Sequence, residues 1–221
     1  MMDLIPCHLK DMCKRIPAFL FLVFFIPGCV GINPPAGDVH YYALEYEPAP
    51  KTGRPSIPET IRVDQLQVAP LYDTDRMVYR EKAYQRGQYL YHRWRSNPRD
   101  MVTYYITRDM AQSGLFKGVF SDRSLYPAGY RLTGTVLDFC EYDENEWYAL
   151  LSLDMVLMNA TEPDVNRRIM FQKVYKSKIR CKDKTPMALA EAMSKAMAQI
   201  SGEIISDVYH HVSLSTPKTS N

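Results

Sequence analysis

The chain has 221 residues and a formal net charge of +2, with charges of both signs interspersed along it. Neither a basic stripe for nucleic acid nor an acidic tail is present, so nucleic acid is not an expected partner. Once a short apolar leader is set aside, the remainder suffices for one domain whose core stands alone.

Lys10, Lys14 and Arg15 precede residues 16–29, IPAFLFLVFFIPGC. A basic start, about eleven mostly apolar residues and a small residue before a cysteine follow the order of a secretory signal. A membrane-spanning helix needs about 20 apolar residues, and Pro27-Gly28 cuts this run short. Ile26-Pro27-Gly28-Cys29 resembles the bacterial lipobox, with Pro27 as the one departure. On that resemblance residues 1–28 are a lipoprotein signal peptide and Cys29 is the lipidation site, acylated by palmitate-type chains; more than one chain holds a protein stably to a membrane. A retained single-pass anchor and a signal peptide without lipid are the other readings of the same run. Val30, not Asp, follows the cysteine, which in enterobacterial sorting implies the periplasmic face of the outer membrane.

Residues 29–38 contain VGINPPAG, a Gly/Pro-rich tether. Residues 39–211 form the expected single domain, and 212–221 a flexible tail. Aromatic and β-branched content predicts a strand over 39–46, and alternation predicts a second over 61–68. Residues 69–95 are crowded with tyrosine and arginine, with short strands at 77–80 and 88–93 about a turn at Arg86-Gly87. Amphipathic rings and planar guanidinium groups are enriched where proteins meet, so Tyr72, Arg76, Tyr79, Arg80, Arg93 and Trp94 are the candidate partner-binding residues. The alternative is internal: the tyrosines pave a half-exposed sheet, Arg80 and Arg93 pair across strands, and Trp94 plugs the gap between sheet and helix.

Asn97-Pro98 is a helix-opening pair. A helix follows over 99–113, closed by Gly114, with Met101, Tyr104, Tyr105, Ile106 and Met110 as its apolar stripe. A strand over 115–120 comes next. Three long strands, 129–142, 146–158 and 168–181, make an antiparallel meander whose middle member alternates through Ala149, Leu151, Leu153, Met155 and Leu157. Leu132, Gly134 and Val136 share one parity and Phe139 has the other, so a bulge near Leu137-Asp138 is required to bring all four inward. Cys140 and Cys181 then lie on the outer strands, roughly 9–10 Å apart, beyond the ~7 Å that a disulfide spans. Thr185-Pro186 opens a final helix over 187–208, with Leu189, Met193, Ala196, Met197, Ile200, Ile204 and Val208 facing inward.

Little in the chain suggests chemistry. His40, His92, His210 and His211 lack the spacing of a zinc motif. Asp73 and Asp75 lie two apart beside Arg76, and Glu141, Asp143, Glu144 and Glu146 read as a solvated hairpin turn without the glycine and ligand order of a calcium loop. No catalytic residue, metal site or cofactor is expected.

In order along the chain stand an acylatable cysteine, Tyr41-Tyr42-x-Leu44, Tyr72-x-x-x-Arg76-x-Val78-Tyr79-Arg80, Arg93-Trp94 before Pro98, and Leu132-x-Gly134-x-Val136-x-x-Phe139. This series resembles the ABC-type transport auxiliary lipoprotein family across the mature chain. The resemblance implies an α+β fold, a mostly antiparallel sheet with two main helices packed against it. It also implies a non-enzymatic accessory role in envelope lipid transport, with a mammalian-cell-entry (MCE) protein as docking partner and a ring of identical subunits as one form of assembly. A stand-alone periplasmic lipoprotein that binds a lipid or other hydrophobic ligand is the alternative, and it requires an apolar cavity.

Overall fold

The computed structural model describes residues 37–50 and 53–215. Among them the strands are β1 (His40–Tyr42), β2 (Ile57–Val63), β3 (Gln67–Val68), β4 (Arg76–Lys82), β5 (Gln85–Trp94), β6 (Phe116–Ser121), β7 (Tyr130–Asp143), β8 (Trp147–Asn159) and β9 (Ile169–Arg180). The helices are α1 (Pro98–Gln112), between β5 and β6, and α2 (Pro186–Ser215), after β9.

β7 is the spine. Its whole length pairs antiparallel with β8, which pairs antiparallel with β9. A strand has two edges, so its other partners share the remaining one. They are successive pieces of one run of chain: β2 beside Tyr130–Leu132, β3 beside Thr135-Val136 and β4 beside Glu141-Tyr142, all parallel to β7. β6 adds parallel to β2 at one end, β5 adds antiparallel to β4 at the other, and β1 adds parallel to β5. The expectation of a mostly antiparallel sheet is therefore overturned. Five of the eight strand pairings run parallel, and the sheet is mixed and curls into a half-barrel. The meander and the β4–β5 hairpin are antiparallel because short turns join their strands; the parallel pairs are joined by long connections, and in all but the β1–β5 pair the connection includes α1.

The β7–β8 register skips Leu137, passing from Val136–Leu153 to Asp138–Ser152. This bulge falls where the parity change of the sequence requires it, and Leu132, Val136 and Phe139 are all buried. Ala149, Leu151, Leu153, Met155 and Leu157 of β8 face the same way and meet α2 through its expected inner residues. α2 runs on to Ser215, past the predicted end of the helix, because Val212 continues its buried stripe. Asn97 caps α1, its side-chain oxygen accepting from Arg99 N at 3.1 Å, and Gly114 follows with φ 68°. The buried face of α1 includes Val102 in place of Tyr104, which is exposed. The segment after β1 is clamped between the helices. Tyr46 Oη donates to Asp109 at 2.6 Å, Glu45 N to Ser194 Oγ at 2.9 Å, and Tyr105 Oη to the Leu44 carbonyl.

Cys140 and Cys181 are both buried and unpaired. Cys140 stands opposite Leu150, which stands opposite Lys178 on β9, so the middle strand separates the two thiols. Burial pushes each thiol up to about 11, which keeps both protonated and unreactive at neutral pH.

Two glycines give opposite expectations. A Cβ on Gly134 would lie 2.3 Å from the Asp154 carbonyl and 2.7 Å from Met155 Sδ, whereas one on Gly202 in α2 meets nothing within 4 Å. Gly134→Ala forces β7 and β8 apart and is expected to cost about 3 kcal/mol. Gly202→Ala is expected to add about 0.5–1 kcal/mol of stability. Urea unfolding of both variants checks the pair.

Candidate functional site

The hairpin of β4 and β5 is irregular, and the irregularity builds the site. Pairing jumps from Val78–Gln88 to Arg76–Arg93, so β5 takes five steps where β4 takes two. The excess bulges outward, leaving Leu90 and Tyr91 exposed while Tyr89 turns inward. At the hairpin turn Tyr84 is fully exposed at φ 66°, a left-handed conformation that a bulky residue rarely adopts. A Cβ on Gly87 would lie 2.2 Å from Tyr79 Cζ, so only glycine lets the Tyr79 ring lie across the hairpin. β1 pairs with β5 only over His92–Trp94, leaving the outer edge of Gln85–Tyr91 without a strand partner among the described residues.

Tyr79, Tyr89 and Trp147 wall an open groove floored by Glu141. Tyr89 meets Tyr79 edge-on at 5.0 Å and Trp147 at 6.4 Å. Glu141 stands opposite Ala149 in the β7–β8 ladder, on the same face as Phe139 and its partner Leu151. It thus continues the core row past the helices, and no residue lining the groove belongs to α1 or α2. Although 1% exposed, it accepts one hydrogen bond, from Tyr89 Oη to Oε2 at 2.8 Å. Burial drives its carboxyl up to about 7; the Tyr89 bond and Lys184 oppose the rise, and Asp143 and Glu81 add to it. His40 stacks on His92 at 5.5 Å beside the groove, and Tyr42 Oη lies 3.0 Å from His92 Nδ1.

The candidate partner-binding residues divide among three environments. Tyr79 belongs to the groove. Arg80 lies on the opposite face of the sheet, over the Tyr142 ring at 4.9 Å, where Lys178 also contacts Tyr142 and Tyr148. Arg76 and Arg93 are cross-strand neighbours, and Arg93 pairs with Asp75 at 3.1 Å. Tyr72 and Trp94 are interior. Tyr72 Oη donates to Asp138 at 3.2 Å, and Trp94, 1% exposed, meets Phe139 edge-on at 5.1 Å. Trp94 is therefore a core residue, packed on β7 through Phe139. Asp73 and Asp75 serve separate partners, Asp73 accepting from Asn97 at 2.7 Å. Asp143, Glu144 and Glu146 each pair with a lysine or arginine of β9 or the loop after it. Glu141 does not belong to that solvated turn. Glu141 shares the parity of Phe139, which the bulge at Leu137 turns inward, and that was the available signal that it points inward.

No three His, Cys, Asp or Glu side chains gather to hold a metal among the described residues, and no helix among them is long and apolar enough to cross a membrane. Cys29, the signal peptide and most of the tether lie outside the described residues, as do 216–221 of the predicted tail.

A curled mixed sheet with two helices on one face recurs in solved structures. A Xanthomonas campestris protein of family DUF330 matches with TM-score 0.71 at 17% identity, over 80% of this chain and 98% of its own. The crystal structure of an uncharacterized protein matches with TM-score 0.61 at 13% identity, over 77% and 99%. A hypothetical protein of Chlamydia trachomatis matches with TM-score 0.50 at 10% identity, over 71% and 98%. No curated protein matches. The family model described as ABC-type transport auxiliary lipoprotein component matches residues 42–205, and the chain belongs to that family. It is thereby placed among lipoproteins that serve ABC-type transport.

Glu141 makes stability depend on pH. Its folded value of about 7 exceeds the ordinary 4.5, so between these values the folded state holds more protons than the unfolded one. Its contribution is fully present below the lower value and is lost as pH rises through the upper. Glu141→Gln is expected to flatten the decline between pH 4.5 and 7. It should exceed the parent by about 1–3 kcal/mol in the mildly alkaline range, as read by urea unfolding on both sides of the window.

Proposed function

We propose that this chain is a lipid-anchored, periplasm-facing accessory subunit of an MCE/ABC-type envelope lipid-transport system, acting by protein docking and not by catalysis. Membership of a transport-auxiliary family supports the class of role. The observation that carries the docking is the β4–β5 hairpin: Tyr84, Leu90 and Tyr91 project into solvent beside a strand edge whose backbone groups have no strand partner among the described residues. Exposed aromatic and aliphatic groups beside a free edge supply both modes by which an extended partner segment is held, side-chain burial and ladder hydrogen bonds. The partner is an MCE protein, approached with the domain held by Cys29 at the periplasmic face of the outer membrane. A second copy of the chain is the other occupant that a free edge admits, and it underlies a ring of subunits.

Of the six residues singled out in the sequence, Tyr79, Arg76, Arg80 and Arg93 remain as candidate contacts around the hairpin. Tyr72 and Trp94 hold it in place from inside. The alternative of a hydrophobic ligand receives less support. The cleft between α1 and α2, lined by Leu115, Ala198 and Ile205 among others, holds about 120 Å³, against roughly 300–1,000 Å³ for a pocket that buries a drug-sized ligand, and the groove over Glu141, at about 420 Å³, is lined by three acidic residues and is not an apolar cavity.

Replacing Tyr84 and Tyr91 by Ser and Leu90 by Glu together is expected to reduce capture of the cognate MCE protein at least tenfold in pull-down, with the thermal melt unchanged. Undiminished capture removes the hairpin from the interface. Independently, cells supplied with labelled palmitate are expected to label the parent chain but not Cys29→Ser; an unlabelled parent overturns the lipid anchor.

A further inference from the structure

We propose that the groove over Glu141 receives the guanidinium or ammonium group of an arginine or lysine side chain, presented by an extended segment of the docking partner lying along the free edge of β5. This deepens the docking reading and rests on it.

Three observations converge on a cation. The walls are the rings of Tyr79, Tyr89 and Trp147, whose π-faces attract positive charge. The floor is the carboxyl group of Glu141, 1% exposed, whose one hydrogen bond is the one Oε2 accepts from Tyr89. A buried carboxylate with unused acceptor capacity is costly, and a charged donor is the partner that offsets that cost. The lining contains no arginine or lysine, and its other charged members are the carboxylates of Glu81 and Asp143. Asp143 is already paired, with Lys184 at 3.3 Å, and Glu81 is exposed to solvent, which leaves Glu141 as the buried acid without a cation. Trp147 Nε1 is buried with no hydrogen-bond partner among the described residues, so the indole offers the groove its ring and not its N–H.

The same lining disfavours a zwitterionic lipid headgroup. Such a group carries a phosphate next to its amine, which would meet Glu81 and Asp143 with no compensating cation on the groove wall. A protein side chain brings the cation alone, and the free backbone edge of β5 lies where its main chain would bind.

The test uses the purified full chain, whose two tryptophans give two indole N–H resonances, one from buried Trp94 and one from Trp147. The probe is the peptide acetyl-Thr-Val-Arg-Val-Thr-amide, compared with the same peptide carrying neutral citrulline and with phosphatidylcholine vesicles. The Arg peptide is expected to shift the Trp147 resonance saturably and leave Trp94 in place. Citrulline should weaken binding at least tenfold, as should Glu141→Gln with the Trp94 resonance unmoved. Tyr79→Leu, which removes one wall and leaves the carboxylate, should weaken it severalfold. Equal binding of the two peptides, undiminished binding by Glu141→Gln, or a shift produced by the vesicles and not the peptide overturns the cation site. If that happens while the hairpin variant still loses its MCE partner, the docking reading stands without it; if the hairpin variant keeps its partner, the docking reading itself falls.

Discussion

Everything in this fold hangs on the ladder along β7 and on the one residue, Leu137, that the ladder leaves out. The full-length pairing with β8 fixes the orientation of every β7 side chain, and the bulge reverses that orientation once. Without the reversal Phe139 would face away from the row begun by Leu132 and Val136, and the core would end halfway along the strand. With it the apolar row continues beneath Trp94, and the next inward position is occupied by a carboxylate. The other edge of β7 takes up β2, β3 and β4 in turn, so the strand that organises the core also sets where the hairpin projects.

The helices cover most of this inner face, and the groove lies beyond them. A carboxylate on an otherwise apolar row, with one hydrogen bond and a proton affinity raised by burial, lowers the stability of the free domain above neutral pH. A leucine at the same position would extend the core. Such a conflict between local packing and residue choice is the mark of a site shaped for something other than folding. The three surrounding rings, one allowed by Gly87 and another placed by the bulge in β5, give the carboxylate a setting suited to a positive partner.

Much of this was legible in the sequence, and the reasons are local. The β7–β9 meander follows from period-two alternation with short turns, the bulge from a change of parity, the start of α1 from Asn97-Pro98 and its end from Gly114. The separation of Cys140 from Cys181 follows from the meander alone. Parallel pairing was not legible, because alternation marks a strand without naming its neighbour; nothing in residues 61–68 announces that they lie beside residues 130–136. The tyrosine- and arginine-rich stretch stands out in composition, but composition does not distinguish the faces of a sheet. Strand register sends Tyr79 to the groove, Arg80 to the opposite face and Trp94 to the core. Glu141 escaped notice by grouping with its acidic neighbours in sequence, when its parity with Phe139 separates it from them.

The account assigns the domain a task of holding a partner through the β4–β5 hairpin, within a family of transport-auxiliary lipoproteins. The most direct measurement is photocrosslinking in cells from a benzophenone side chain placed at Leu90, compared with the same group at Val174, an exposed position on β9. The account predicts an adduct with the MCE protein from Leu90 and none from Val174. An adduct from Val174 alone, or the same adducts from both positions, would contradict it.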